Sequence, residues 1–105
     1  MLKSQNRPVR RTLDIHGAFV RRTDLSGASL RGANMAAADA TKAIFRDVDF
    51  DGAILRGTIL RGADLTGAKN LTIEQLSEAV IDDQTILPSY IDRAKLRALA
   101  RNVSE

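Results

Sequence analysis

A five-residue pattern runs without insertion or gap from Leu13 to Gly67, and it constrains the fold of this 105-residue chain more than any other feature. The pattern has eleven units, and all seven glycines of the chain occupy the fifth place of a unit. The first place is small or β-branched in ten units, most often alanine. The third place is always apolar and holds Ile15, Val20, Leu25, Leu30, Met35, Ala40, Phe45, Phe50, Leu55, Leu60 and Leu65. A structure that repeats every five residues must therefore account for about half of the chain.

A period of five fits neither common secondary structure, because a helix repeats its buried face about every 3.6 residues and a strand every 2. A short extended segment followed by a corner does fit, since the first and third residues of the segment point to the same side. Glycine in the fifth place favours such a corner because it adopts positive φ without steric cost. The pattern predicts that successive turns of chain stack at strand spacing, roughly 4.8 Å, with backbone hydrogen bonds between them.

Two units, Ala63–Gly67 (ADLTG) and Ala28–Gly32 (ASLRG), closely resemble the A(D/N)LxG-like unit of pentapeptide-repeat proteins. This resemblance covers about half of the chain directly, and the segment from Gly67 to Pro88 is similar to the way many such repeats end. It implies a right-handed quadrilateral β-helix, with four units in each coil and about three coils in the whole repeat.

The repeat loses its register after its eleventh unit, because Asn70 stands where an apolar residue is due. Thr72 and Gln75 then have the spacing of a helix capping box. Apolar residues at helical spacing extend this first predicted helix to about Asp82. The predicted fold is an all-β solenoid with a helical C-terminal cap: a basic arm over residues 1–12, the β-helix over 13–70, and an α-helical cap and tail over 71–105.

A second helix is predicted from about Tyr90 to Asn102, with Ser89 and Asp92 as its N-terminal signal. Such a helix is rarely stable alone, so its apolar side must dock on the solenoid or on another molecule, and both alternatives stay open. Members of the family that the chain resembles often dimerise through C-terminal helices, which makes a homodimer one expectation. The candidate interface side chains on this helix are Leu96, Leu99, Val103, Arg93, Arg97 and Arg101.

One side of the repeat is predicted to bind a partner. With four units per coil, units two, six and ten share a side, where Asp39 is the single acidic residue among several cations. Two apolar residues also project there, at places where the family usually has Asp or Asn. We call this side the basic face, and its predicted binding residues are Phe19, Arg21, Arg22, Lys42, Ile59 and Arg61. The side formed by units three, seven and eleven is acidic by comparison, so the solenoid is predicted to be weakly two-sided.

Catalytic and metal chemistry have little support in the sequence. The chain has no cysteine, and His16 is its one histidine, so no disulfide framework and no Cys–His site can form. The segment Asp47–Gly52 matches the opening of a calcium-binding loop, but Thr58 occupies the twelfth position, which needs a glutamate. We therefore predict a non-enzymatic protein with no catalytic residue, no metal, no cofactor and no small-molecule substrate.

The composition favours a cytoplasmic protein. A chain without cysteine suits a reducing compartment, and the N-terminal residues lack the apolar core of a secretory signal. No apolar run approaches the ~20 residues of a membrane span. The net charge is +3 and the isoelectric point is near 9.8, a mild basic bias that fits an acidic partner without requiring one.

Three functions are considered. The first is a non-catalytic protein-binding module, an adaptor or scaffold whose flat faces or C-terminal helix engage a protein partner. The second is association with nucleic acid through the basic arm, the basic face and the helix arginines. The modest net charge and the small number of aromatic residues, four in all, argue against it. The third comes from the resemblance alone: some pentapeptide-repeat proteins are DNA mimics that bind a type II topoisomerase. That activity needs a long acidic rod, whereas this chain is short and basic.

Overall fold

The computed structural model describes residues 12–104, and the side chains of residues 12–100. Apart from Thr12, the predicted basic arm therefore lies outside the described residues. Parallel β-bridges join second-place residues that lie 20 positions apart in the sequence. They form four ladders: Asp14, Asn34 and Ile54; Phe19, Asp39 and Ile59; Asp24, Ile44 and Asp64; Ser29, Asp49 and Lys69. Each stretch of 20 residues thus makes one turn of a four-sided solenoid.

Backbone hydrogen bonds connect each turn to the next. The Leu25 N–H donates to the Ile44 carbonyl at 2.8 Å, and the Ile44 N–H donates back to the Thr23 carbonyl at 2.8 Å. Because a corner follows every five residues, each bridge stays isolated and no longer strand forms between residues 12 and 104. The solenoid is therefore held by many short parallel contacts between turns.

The corners lie at the fourth and fifth places of each unit. All seven glycines there have φ between +67° and +78°, a region that residues with a Cβ rarely adopt. The N–H that follows closes the turn, as where Ala18 donates to the Ile15 carbonyl at 3.0 Å, which is the pattern of a type II turn. A second-place carboxylate adds a bond across the corner, since Asp24 Oδ1 accepts from the Ser26 N–H at 3.0 Å. Local turn chemistry thus explains the preference for glycine and for Asp or Asn.

First- and third-place side chains fill the interior. From Leu30 to Leu65 every third-place side chain is at most 3% exposed. The Phe45 and Phe50 rings lie with centroids 5.5 Å apart, which confirms the prediction that they are core residues. The buried Thr58 hydroxyl donates to the Met35 carbonyl at 2.7 Å, so this polar group is satisfied. The repeat can therefore meet other molecules through its outward places.

Helix α1 comprises Ile73–Ser77. Thr72 is its N-cap and forms the predicted capping box with Gln75, whose N–H donates to Thr72 Oγ1 at 3.0 Å. The prediction that this helix reaches about Asp82 is wrong, because α1 ends at Ser77. It has one buried residue, Leu76, which joins the hydrophobic core.

The chain rejoins the solenoid after α1, and this explains why the helix is short. The backbone N–H groups of Leu60 and Leu65 in the last turn need hydrogen-bond acceptors. If α1 continued, the carbonyls of the following residues would accept hydrogen bonds within the helix and could not accept from the solenoid. Instead Leu60 donates to the Val80 carbonyl at 2.7 Å, and Leu65 donates to the Ile86 carbonyl at 2.8 Å. Val80 and Ile86 each form a parallel bridge with the last turn. The ladders therefore continue past the predicted boundary at residue 70.

Helix α2 comprises Arg93–Ser104, and its predicted start at Tyr90 is three residues too early. The Tyr90 hydroxyl donates to the Ala68 carbonyl at 2.5 Å, which anchors the residue outside the helix. Asp92 caps α2 by accepting hydrogen bonds from first-turn N–H groups, so Ser89 is not the cap. Neither helix of the described range is long and apolar enough to cross a membrane.

Candidate partner-binding face

The basic face is one side of the solenoid. Phe19, Asp39 and Ile59 are stacked as bridge-paired second-place residues of three successive turns. The fourth- and fifth-place residues of the same units follow at the adjacent corner. The structure therefore places on one side the six predicted residues Phe19, Arg21, Arg22, Lys42, Ile59 and Arg61.

The two apolar residues of the basic face differ in exposure. The Phe19 side chain is 82% exposed, whereas Ile59 is half-buried. Ile59 is partly covered because Val80, on the segment that returns to the solenoid, lies in the next rung of the same ladder. The sequence predicts both as outward, and Phe19 alone is fully available as an apolar contact.

Asp39 lies between these two residues and is held by local hydrogen bonds. Its Oδ1 accepts from the Thr41 hydroxyl at 2.5 Å and from the Thr41 N–H at 3.1 Å, and its Oδ2 lies 3.7 Å from Arg21 Nε. The Thr41 hydrogen bonds, with the nearby charges of Arg21 and Arg61, lower the pKa of Asp39 from its ordinary value despite partial desolvation. Asp39 is therefore ionised at neutral pH and compensates the charge of Arg21.

The remaining cations of the basic face form no salt bridge with a described side chain. No carboxylate of the described side chains lies within 4.0 Å of Arg22, Lys42 or Arg61. Arg22 and Lys42 also hold the fifth place with φ of 57° and 59°, where glycine would be unstrained. A residue with a Cβ in this region costs roughly 1–2 kcal/mol. Arg22 and Lys42 share one corner in successive turns, and Ala37 and Asp47 have positive φ in the fifth place at two other corners.

Arginines on the other sides of the solenoid are more often paired. Arg31 Nη1 lies 3.3 Å from Asp49 Oδ2, and its Nη2 lies 3.1 Å from Asp51 Oδ2. Arg46 Nη1 lies 3.4 Å from Asp64 Oδ2. These arginines bridge successive turns, so their charges serve the solenoid itself. The basic face thus concentrates positive charge that the described residues leave available.

The predicted interface on α2 is partly used within the chain. Leu96 is 1% exposed and belongs to the hydrophobic core cluster. Arg93 is half-buried and donates to the carbonyls of Asp82, at 3.3 Å, and Thr85, at 2.5 Å. Helix α2 therefore docks on its own chain, and these two side chains are engaged there.

The other α2 candidates are less engaged. Arg97 Nη2 lies 3.8 Å from Oδ1 of the exposed Asp83, and Leu99 is half-buried. The side chains of Val103 and Arg101 lie outside the described residues. The contribution of these positions to an interface stays a prediction.

Sequence reasoning did not find a groove between α1 and α2. It encloses a cavity of about 350 Å³, with an apolar floor that includes Leu76, Ala79 and Leu96. Arg97 and Asp83 lie at its rim. The side of the groove that faces α2 is formed by Ala79, Ile81, Asp82 and Asp83, which follow α1 as the chain rejoins the solenoid. No local pattern in the sequence signals this return to the solenoid.

The candidate metal and histidine positions are solvent-facing. Val48 and Phe50 are fully buried, so the aspartates of the calcium-like segment alternate with them toward solvent, as predicted. His16 Nδ1 lies 2.7 Å from Asp14 Oδ1, and this hydrogen bond is the largest cause that lowers the pKa of Asp14. Within the part of the chain that the structure describes, no three His, Cys, Asp or Glu side chains form a group that could hold a metal ion.

Comparisons with known proteins agree with the four-sided architecture. The family model described as pentapeptide repeats matches eight copies over residues 14–47 and 43–72, together more than half of the chain. The chain is similar in structure to a pentapeptide repeat protein, Rfr23, from the cyanobacterium Cyanothece 51142, with 26% identity and a TM-score of 0.64. That match covers 73% of this chain and 52% of Rfr23, so the chain spans about half the length of that protein.

A second pentapeptide repeat protein, alr5209 from Nostoc Pcc 7120, matches with 23% identity and a TM-score of 0.35, over 81% of this chain and 82% of that one. No curated protein matches the chain. The family model and the Rfr23 match imply a right-handed quadrilateral β-helix, in agreement with ladders spaced by 20 residues. The chain belongs to the pentapeptide-repeat family.

Proposed function

We propose that this chain is a non-catalytic protein-binding module, an adaptor or scaffold that engages a protein partner through its basic face. The observation that supports this most is the combination, on one side of the solenoid, of an aromatic ring that is 82% exposed with cations that have no carboxylate within 4.0 Å among the described side chains. Exposed aromatic and arginine side chains are the residue types that contribute most to protein interfaces. A solenoid suits this role because its outward residues vary freely without disturbing the interior.

A catalytic role has less physical support. The interior of the repeat is filled by side chains such as Phe45, Phe50 and Leu65, each 0% exposed, which leaves no substrate cavity inside the solenoid. Each described aspartate with a lowered pKa has hydrogen-bond donors from its own or a neighbouring corner, as Asp24 has from Ser26. Such carboxylates are held as structural acceptors rather than as acids or bases.

Nucleic-acid binding is the second candidate, and the same cations favour it. Two features of the basic face argue for a protein partner instead. Asp39 is an ionised carboxylate in the middle of the face, where it would repel a phosphate chain. Phe19 is also the one exposed aromatic residue of the face, whereas single-stranded nucleic acids bind to several stacking rings.

Self-association is a further element of the proposal. Helix α2 already buries Leu96 against its own chain, so a second copy would bind the outer side of the helix, where Arg97 is exposed. We expect such a dimer to leave the basic face open, because α2 packs beyond the last turn and Phe19 lies in the first.

The test is capture of a partner from the native host by the tagged protein, with and without nuclease and at low and high salt. The variant Phe19→Asp removes the apolar contact and adds a like charge for an acidic partner. Its control is Ile54→Asp. Ile54 is also an apolar second-place residue, it is 40% exposed, and it lies on the neighbouring side of the solenoid.

We expect a nuclease-resistant protein that is retained by the native chain and by Ile54→Asp but lost with Phe19→Asp. Equal retention by all three chains would refute the basic face as the binding surface. Retention that disappears on nuclease treatment would instead establish nucleic-acid binding as the function of this face.

A further inference from the structure

The strongest unexplained feature is the corner that carries Arg22 and Lys42. Both residues have positive φ in the fifth place, while the next unit on the same corner has Gly62, with φ of +67°. A glycine at all three positions would remove the backbone strain. Neither side chain pairs with a carboxylate in the described range, so the solenoid gains no ion pair in return. Ala37 and Asp47 carry positive φ in the fifth place on other sides, so this corner is distinguished by presenting two cations without a described carboxylate within 4.0 Å.

The cations of this corner are ordered along the solenoid axis. Arg22, Lys42 and Arg61 belong to three successive turns of one side, so they extend over two rung spacings, roughly 10 Å. The Lys42 side chain reaches toward the third turn, since a Cβ on Gly62 would lie 3.0 Å from Lys42 Cγ. Phe19 stands beside the first cation and is exposed. The result is a short row of positive charge with one apolar anchor at its end.

We infer that the basic face binds an extended acidic peptide segment whose carboxylates follow an apolar residue, and this inference rests on the proposed protein-binding function. Alternate side chains of an extended peptide lie roughly 7 Å apart on one side, so two carboxylates fit within the row of cations. An apolar side chain at one end would cover Phe19. Arg21 already lies 3.7 Å from Asp39, so the peptide's carboxylates face the row formed by Arg22, Lys42 and Arg61.

The row is too short to favour a nucleic-acid strand. Proteins that bind single strands without sequence preference use grooves of about 4–16 nucleotides, whereas this row matches about two charged groups of an extended chain. The carboxylate of Asp39 also interrupts the face between Phe19 and Ile59. A peptide can place an uncharged residue opposite Asp39, but a phosphate chain carries a charge at every step.

The experiment measures fluorescence polarisation of a short labelled peptide that carries one phenylalanine followed by glutamates at alternate positions. The test variant is Arg22→Gly/Lys42→Gly. It removes two positive charges and places at both positions the residue that adopts positive φ without strain. The charge-matched control is Arg56→Ala/Lys69→Ala, because these cations lie on other sides and also lack a described carboxylate within 4.0 Å. Circular dichroism verifies that both variants fold.

We expect the glycine variant to bind the peptide about tenfold or more weakly, and the control variant to bind within about twofold of the native chain. A peptide with alanine in place of phenylalanine should also bind more weakly. Equal weakening by both variants would overturn the inference, because it would show a general charge effect. Tighter binding of a single-stranded oligonucleotide than of the peptide would overturn it as well.

Failure here is separable from failure of the proposed function. If partner capture depends on Phe19 but the acidic peptide does not bind, then only the inferred chemistry of the partner is wrong. If Phe19→Asp leaves capture unchanged, the basic face is not the binding surface and both proposals fail.

Discussion

The two ends of the solenoid are built from the same repeat but differ in how deeply their inward side chains are buried. In the first turn three of the four inward third-place side chains are only half-buried, those of Ile15, Val20 and Leu25, and the fourth, Leu30, is 3% exposed. At the other end the inward apolar side chains are at most 3% exposed, namely those of Leu65, Leu71 and Leu76. The units themselves are equally regular at both ends, so the difference comes from the segment after the last unit. The repeat supplies the inward side chains of the solenoid, and this non-repeating segment adds buried leucines, Leu71, Leu76 and Leu96, to the same core.

The largest expected effect compares two leucines in the same place on the same side. Leu65→Ala removes a fully buried side chain and should destabilise the protein by about 2–5 kcal/mol. Leu25→Ala removes the half-buried equivalent two turns earlier, and we expect less than half of that loss. Urea unfolding followed by circular dichroism gives both values. Equal losses would mean that the first turn is as well covered as the last.

The next prediction concerns the contact of α1 with the second and third turns of the solenoid. Gln75 Nε2 donates to the carbonyls of Phe50, at 3.0 Å, and Ala53, at 2.9 Å. Gln75→Glu keeps the capping box but replaces both donors by an acceptor, so we expect a loss of about 1–3 kcal/mol. Gln84→Glu changes an exposed residue and is the control, with little expected change. If both variants are equally stable, the two hydrogen bonds of the Gln75 amide to the solenoid do not stabilise the protein, and Gln75 acts only in the capping box of α1.

A smaller effect is expected at the corners. Gly17 and Gly57 both have φ of +70°, and a Cβ would have room at either position. Gly57→Ala should cost about 1–2 kcal/mol through backbone strain alone. Gly17→Ala should cost less, because a less well-buried end turn can relax locally. Thermal unfolding of the two variants measures the difference, and a larger cost at Gly17 would contradict the comparison.

The smallest expected effect is a dependence on acid pH. Burial raises the pKa of Asp82, but hydrogen bonds from Gly62, Gln84 and Thr85 outweigh it, so the folded pKa is below its ordinary value of 3.8. The stabilisation from this carboxylate is therefore present above that value and is lost as the pH falls through the lowered folded pKa. Asp82→Asn should lose less stability than the native chain between about pH 5 and pH 2. Parallel acid titrations of both proteins would contradict this role of Asp82.

The sequence was sufficient for the features that depend on local chemistry. The inward positions of Phe45 and Phe50, the capping box of Thr72 and Gln75, and the composition of the basic face all follow from spacing and turn preferences. The end of α1 could not be predicted in the same way. The sequence position of Val80 is compatible with the apolar side of a helix and with a β-bridge. The structure that forms is set by the backbone N–H and C=O groups of the last turn, which need hydrogen-bond partners.

The start of α2 and the groove beside it failed for a related reason. The Tyr90 hydroxyl donates to the Ala68 carbonyl, and Arg93 donates to the carbonyls of Asp82 and Thr85. These contacts join residues that no local pattern relates. Hydrogen bonds between side chains and distant backbone groups therefore determine where α2 begins, which local helix propensity did not predict.

The inward residues and the C-terminal segment contribute the buried core of the fold, whereas the proposed function assigns Arg22 and Lys42 to a partner. The most direct test is the free energy of unfolding of Arg22→Gly/Lys42→Gly in urea. We predict that this variant is at least as stable as the native chain and gains up to about 2 kcal/mol, because glycine relieves the strain at two corners. A loss of about 1 kcal/mol or more would show that Arg22 and Lys42 stabilise the solenoid itself, and it would contradict their assignment to a partner.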